Sequence, residues 1–162
     1  MFDPVWWEAL ITGTECAYCR RAAPSDPELR VPVGTLPSGE VFLQRDGNFP
    51  GYCILYLRRH AAELFELTPS ERASLIEDVA ALAHAIWTVC RPSKLNYAIL
   101  GNELPHLHVH VIPRYPDDGW WGKPIWLRPH QERVELPEPR AREIAEALRR
   151  ELSSYEGQSH ER

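Results

Sequence analysis

The segment Asn102-Glu103-Leu104-Pro105-His106-Leu107-His108-Val109-His110-Val111-Ile112-Pro113-Arg114-Tyr115 sets a histidine at every second position between apolar residues. That is the two-residue period of a β-strand, so the three imidazoles are expected on one face, with Leu107, Val109 and Val111 turned to a core on the other. Three of the chain's 7 histidines are then gathered on one ridge able to receive a ligand. Same-face neighbours on a strand stand about 6.6 Å apart, which puts the α-carbons of His106 and His110 roughly 13 Å apart. One ion with metal–nitrogen bonds of about 2.0–2.1 Å does not comfortably collect all three, although a pair can chelate. An accidental run of polar strand residues is the plainest alternative. What suits all three is an extended anion, the central ring attacking phosphorus while a neighbour steadies non-bridging oxygens.

Outward from this ridge, Lys94–Leu100 reads as a strand, and Gly101-Asn102 as the turn that returns the chain, which makes the pair antiparallel. From Thr68-Pro69-Ser70-Glu71 to Cys90 the apolar residues recur at helical spacing, opened by a threonine cap and a proline in the first turn and stopped before Pro92. His84 within it reads as a surface or packed histidine. Leu29–Thr35 and Glu40–Gln44 flank the turn-rich Leu36-Pro37-Ser38-Gly39, a hairpin signal, and a strand over Tyr52–Leu57 follows. A helix is expected over Pro4–Thr12 and a charged amphipathic one over Glu138–Ser153, with Tyr155–Arg162 fraying. The irregular aromatic run Pro116–Trp126 suits covering a core edge or packing on another subunit. The order predicts an α+β fold: an antiparallel sheet with a long covering helix and a C-terminal helix.

The 162 residues fit one domain over 1–162, undivided by repeats or a long linker. Met1–Leu10 lacks a basic start and a continuous apolar run, and no apolar stretch approaches 18 residues, so the expectation is a cytoplasmic protein with no membrane partner. The 4 cysteines argue for reduced thiols or metal ligands rather than a disulfide framework. A net charge of −5 argues against broad nucleic-acid binding, which draws on a basic surface. Anion binding must then be local, with Arg45, Arg58, Arg59, Lys94, Arg114 and Lys123 as candidate cations and backbone donors near Asn102 in support.

The run His106–Ile112, continued by Pro113-Arg114, resembles the histidine triad (HIT) family of nucleotide-binding hydrolases and transferases, whose pattern is His, apolar, His, apolar, His, apolar, apolar. Asn48-Phe49-Pro50-Gly51-Tyr52-Cys53-Ile54-Leu55-Tyr56-Leu57-Arg58-Arg59-His60 resembles the family's loop and strand that enclose the nucleoside. The likeness covers roughly residues 16–115, leaving 116–162 as a C-terminal extension. It implies a HIT-like fold, a homodimer, and a nucleotide substrate of dinucleoside polyphosphate or phosphoramidate type cleaved at the α-phosphorus. His108 would be the nucleophile, forming a nucleotidyl-histidine intermediate, and His110 would hold phosphate oxygens. Gln44 would meet the ribose hydroxyls, with Asn102 and Tyr52 completing the substrate side. The chain departs from the common pattern at Tyr52, where many members carry histidine, and at Asn102-Glu103, where glutamine and serine or threonine are frequent. Glu103 reads as a solvated loop acid. A nucleotide-binding or sensing module without turnover, and a zinc hydrolase using the triad as ligands, are the rival readings.

Cys16-Ala17-Tyr18-Cys19 has the spacing by which one loop offers two thiolates to a metal. Redox pairs of this spacing normally open a helix after a strand, whereas this one follows a helix. Two reduced buried cysteines are the simpler alternative. The chain also resembles the zinc-containing branches of the HIT family here, which implies Cys16, Cys19, His60 and His106 as ligands. Four protein ligands close the tetrahedron, so this zinc would be structural. Cys53 and Cys90 read as core residues.

Overall fold

The computed structural model describes residues 3–20 and 30–159. Five strands form one antiparallel sheet: β1 (Arg30–Thr35), β2 (Gly39–Gln44), β3 (Cys53–Leu57), β4 (Lys94–Ala98) and β5 (His108–Arg114), in the order β1-β2-β3-β5-β4. The helices are α1 (Pro4–Ile11), α2 (Pro69–Cys90) and α3 (Glu138–Ser159). The histidine strand therefore lies inside the sheet, with His110 paired to Ile54 and His108 to Tyr56 of β3.

Side-chain parity decides what each face does. Val41, Leu43, Cys53, Leu55, Val109 and Val111 point to one side and share a buried core with Leu75, Leu82 and Ile86 of α2 and Ile144 and Leu148 of α3. Residues of opposite parity, Ile54, Tyr56 and Ile112, join Phe49, Tyr52 and Ile125 in a second, mostly aromatic cluster on the other side. With both helices committed to the first face, the second is left to loops, and there the histidines stand.

The expected α2 forms as read. Thr68 accepts from the Glu71 amide while the Glu71 side chain accepts from the Thr68 amide, and Pro69 opens the first turn. Arg91 closes it in the left-handed region at φ 50°. By length and composition this helix is apolar enough to cross a bilayer, and here its apolar face is the covering layer of the sheet. Gly51 is fixed by space as well as by conformation. It takes φ +97°, and a Cβ there would stand 2.6 Å from the Cys90 sulfur, so the turn that launches β3 is built on glycine.

Three boundaries differ from the sequence reading by more than one residue. β4 ends at Ala98, and residues 99–107 form a long connection in place of a tight turn at Gly101-Asn102. His106 lies just ahead of β5, because Pro105 supplies no N–H to a ladder. The Leu107 amide donates to the Ala61 carbonyl at 2.7 Å, and the Leu57 amide to the Leu107 carbonyl at 3.0 Å, which keeps strand parity through His106. α3 continues to Ser159 rather than stopping at Ser153. Leu29 and residues 160–162 lie outside the described residues.

Candidate active site

His108 and His110 open onto a cavity of about 470 Å³ on the loop-covered face, shared with Tyr56, Arg30, Asn102 and Trp126. His106 is not in it. At 1% exposure it is turned away toward the two cysteines, so the ridge divides into two catalytic candidates and one ligand candidate. The neighbour of the anion site is thus a second site, the division that the resemblance implied by assigning His106 to the metal set, and not the cradle of three histidines that alternation alone allowed.

One hydrogen bond to each ring settles which of its nitrogens is free. His108 Nδ1–H donates to the carbonyl of His106 at 2.6 Å. A carbonyl only accepts, so in the neutral ring Nε2 carries the lone pair, the state a nucleophile needs. The Tyr52 hydroxyl lies 2.6 Å from His110 Nδ1. A phenol is the better donor and an imidazole nitrogen the better acceptor, so Tyr52 donates and His110 is left with Nε2–H as a donor. One ring offers a lone pair and its neighbour a proton, 4.8 Å apart between centroids.

Burial sets the charge of both. It pulls the His108 pKa below its usual value against the opposing hydrogen bond to His106, with a smaller push from Arg30. His110 is driven down to about 3, first by burial, then by His108 and Arg30. Both rings are neutral at pH 7. Tyr52, also buried, has its hydroxyl pKa raised and stays protonated.

The aromatic loop helps to close the site. Arg114, buried on β5, donates to Asp118, Asn96 and the Lys123 and Trp120 carbonyls, which anchors residues 116–126 over the sheet face. Trp126 then meets His110 edge-on at 5.5 Å. On the far side Tyr56 stacks on Tyr18 at 4.9 Å and on His108 at 5.3 Å, with Phe42 edge-on at 5.9 Å. Flat apolar walls beside the His108 ring suit a base or another planar group.

Other candidates from the sequence fall as follows. Asn102 and an exposed Glu103 lie in the cavity's rim loop. Gln44 ends β2 on the Phe42 side of the sheet, outside the cavity lining, and its Nε2 is buried without a hydrogen-bond partner among the described residues. Tyr52 acts on the site through His110. None of the six candidate cations lines the cavity. Arg45 bonds Glu135, Arg58 the Leu36 carbonyl and Arg59 Glu71, while Arg114 holds the loop. Lys94 and Lys123 line a neighbouring groove with Trp121 and Trp126. Arg30, Tyr56 and Trp126 were missed. Parity from Tyr52 along β3 marks Tyr56, but nothing in the local sequence marks Arg30 or Trp126.

Cys16, Cys19, His60 and His106 bring their ligand atoms within 4.8 Å of one another. His106 Nε2–H donates to the Leu57 carbonyl and His60 Nε2–H to the Ile11 carbonyl, each at 2.7 Å. Both rings therefore present a bare Nδ1 to the thiols, His106 at 3.5 Å from Cys16 and 3.4 Å from Cys19, and His60 at 3.4 Å from Cys19. Ligand atoms around a tetrahedral zinc stand roughly 3.3–3.8 Å apart, so the donor set fits. Without a cation the Cys19 thiol is raised to about 11 by burial and by Cys16, a cost that a bound metal would reverse.

The HIT domain family matches residues 31–117, more than half of the 162-residue chain. The chain belongs to the HIT family. A histidine triad protein from Bradyrhizobium japonicum is 31% identical and superposes with a TM-score of 0.71, covering 77% of this HIT chain and 92% of that one. A zinc-bound histidine triad family protein from Mycobacterium smegmatis, 18% identical, shares the fold with a TM-score of 0.59 over 90% of this chain and 98% of that one. The bis(5'-nucleosyl)-tetraphosphatase (asymmetrical) of Schizosaccharomyces pombe is 35% identical over 74 residues, which is 43% of this chain and 41% of that protein. The match thus spans less than half of that relative.

Proposed function

We propose that this HIT protein is a nucleotide hydrolase that cleaves nucleoside phosphate derivatives at the α-phosphorus through a nucleotidyl-His108 intermediate. One observation carries the reading: His108 lines the cavity, and its Nδ1–H is held by the His106 carbonyl at 2.6 Å, which leaves the lone pair on Nε2. The Nε2 pair forms the P–N bond as the bond from phosphorus to the leaving group breaks. The ring then carries positive charge, which the His106 carbonyl stabilises through Nδ1–H. Water next attacks phosphorus and releases its proton to bulk solvent as the P–N bond breaks, and His108 departs as the neutral ring with its proton arrangement unchanged. His110 Nε2–H donates to a non-bridging oxygen throughout. Similarity to a tetraphosphatase supports polyphosphate substrates.

Zinc at Cys16, Cys19, His60 and His106 belongs to the same reading. It would supply a closed structural cross-link between the segment after α1 and the lead-in to β5, with no open position for water. The reading also includes pairing of two copies, supported by the edge position of β4 and by exposed Tyr97, Ile99 and Leu100 on and after it.

The test is His108→Ala assayed against adenylated substrates with trapping of the labelled phosphohistidine. Wild type should accumulate a label that His108→Ala lacks, and the variant should lose several orders of magnitude in turnover while still binding nucleotide. Wild-type binding without release of mononucleotide would make the protein a sensor instead.

A further inference from the structure

Arg30, the first residue of β1, is the one permanent cation among the described residues that line the cavity holding His108 and His110. Its guanidinium lies 5.2 Å from the centroid of Tyr56, whose ring in turn stacks at 5.3 Å on His108. It forms no ion pair among the described residues, whereas nearby Arg45 pairs with Glu135 and Arg142 with Glu138, and Arg149 donates to the Val33 and Pro32 carbonyls. Among the described residues the cavity's one carboxylate, Glu103, is exposed in the rim loop and forms no ion pair with it. A guanidinium in a half-closed cavity without a carboxylate partner is matched by an anion arriving with the substrate.

Two observations say which anion. The α-phosphoryl group already has His110 Nε2–H as a neutral donor, fixed by Tyr52, so a full charge there is surplus to a monoanionic ester. Arg30 also forms the border of a second groove, about 700 Å³, lined further by Arg45, Arg142 and Arg149 with Glu138 and Glu146 among them. A chain of phosphates leaving His108 past Arg30 enters a surface with more arginines than carboxylates. We propose that Arg30 binds the leaving polyphosphate of the substrate, so that the site selects nucleotides whose α-phosphorus carries a phosphoanhydride chain over those that expel a neutral amine. This rests on the hydrolase reading and names its substrate class. The bond that breaks is the anhydride P–O, and the departing chain leaves as an anion needing no proton, with Arg30 balancing its charge.

The experiment compares two substrates with the same adenosine and α-phosphorus, diadenosine tetraphosphate and adenosine 5'-phosphoramidate, in wild type, Arg30→Gln and Arg30→Lys. Arg30→Gln should lower kcat/KM on the tetraphosphate on the order of 30- to 100-fold and on the phosphoramidate by less than about 3-fold, with Arg30→Lys in between. Equal losses on both substrates, or none, overturn the assignment. A second readout does not depend on turnover: in the His108→Ala background, Arg30→Gln should weaken tetraphosphate binding by a similar factor and leave AMP binding within about 3-fold. Parallel weakening of both ligands overturns it as well. If wild type binds the tetraphosphate in an Arg30-dependent way yet releases no mononucleotide, the hydrolase reading falls and the Arg30 site stands.

Discussion

Tyr52, placed just before β3, reaches across to β5 and donates its hydroxyl to His110 Nδ1 at 2.6 Å. Where many members of the family carry histidine, this chain uses a phenol. The phenol can perform the one task the position requires, which is to hold Nε2–H of His110 toward the cavity. Burial keeps the hydroxyl protonated, so the direction of the bond does not change over the physiological range.

Tyr52→Phe should therefore lower kcat by about 10-fold with KM nearly unchanged, the size expected for a lost hydrogen bond that leaves a buried nitrogen unpaired. Tyr52→His should recover most of the rate. Steady-state kinetics on one substrate decides it, and a Tyr52→Phe enzyme with wild-type kcat would show that His110 keeps its tautomer unaided.

Zinc should purify with the chain at about one equivalent, and its removal should act on stability before chemistry. Both His60 and His106 aim bare Nδ1 atoms at the thiols. Cys19→Ser should therefore lower metal content and the thermal midpoint together, because a closed four-ligand site contributes to folding directly. Metal analysis beside calorimetry is the check. A stoichiometry near zero in protein purified without chelators would leave two reduced thiols as the correct description.

The fold was legible because its signals were local and mutually consistent. Alternation at Leu107–Ile112, the Thr68–Glu71 capping pair and the Pro37-Ser38 turn each act over a few residues, and all agreed with one sheet and one covering helix. The metal set was legible only through resemblance, since His60 and His106 are remote in sequence from Cys16. Spacing failed where the chain leaves the strand: Pro105 moves the start of β5 past His106, and the long 99–107 connection, not a turn, forms the cavity rim. The missed residues share one cause. Arg30 reaches the site because β1 pairs with β2 in the register Arg30↔Gln44. Trp126 reaches it because Arg114 ties down a loop without periodicity. Both are tertiary facts with no short-range signature.

Gln44 stands outside the cavity lining and carries a buried Nε2 without a partner among the described residues, at the strand end where the resemblance places the ribose. An unpaired buried donor discriminates for a ligand that supplies its acceptor. Gln44→Leu should raise KM for a ribonucleotide substrate by about 10-fold and raise it less for the 2'-deoxy analogue. Equal changes for the two sugars would remove Gln44 from the binding site.

Acid should weaken the fold through the same burial that keeps His108 and His110 neutral. His110 is held at about 3 in the folded chain against an ordinary 6.5, with burial the largest cause, and His108 is displaced in the same direction. Below pH 6.5 the unfolded chain binds protons at these positions while the folded chain does not, so stability falls as pH drops through that window and stops falling only near the folded values. Turnover carries the opposite mark. The neutral form of His108 persists below pH 6.5, so the acid limb of kcat set by the nucleophile should lie under that value. Thermal midpoints measured from pH 7.5 to 4.5 should decline more steeply for wild type than for His110→Gln, which removes one of these titrating groups. Parallel curves would mean that His110 does not resist protonation, and with it the account of two neutral rings at the centre of the site would fail.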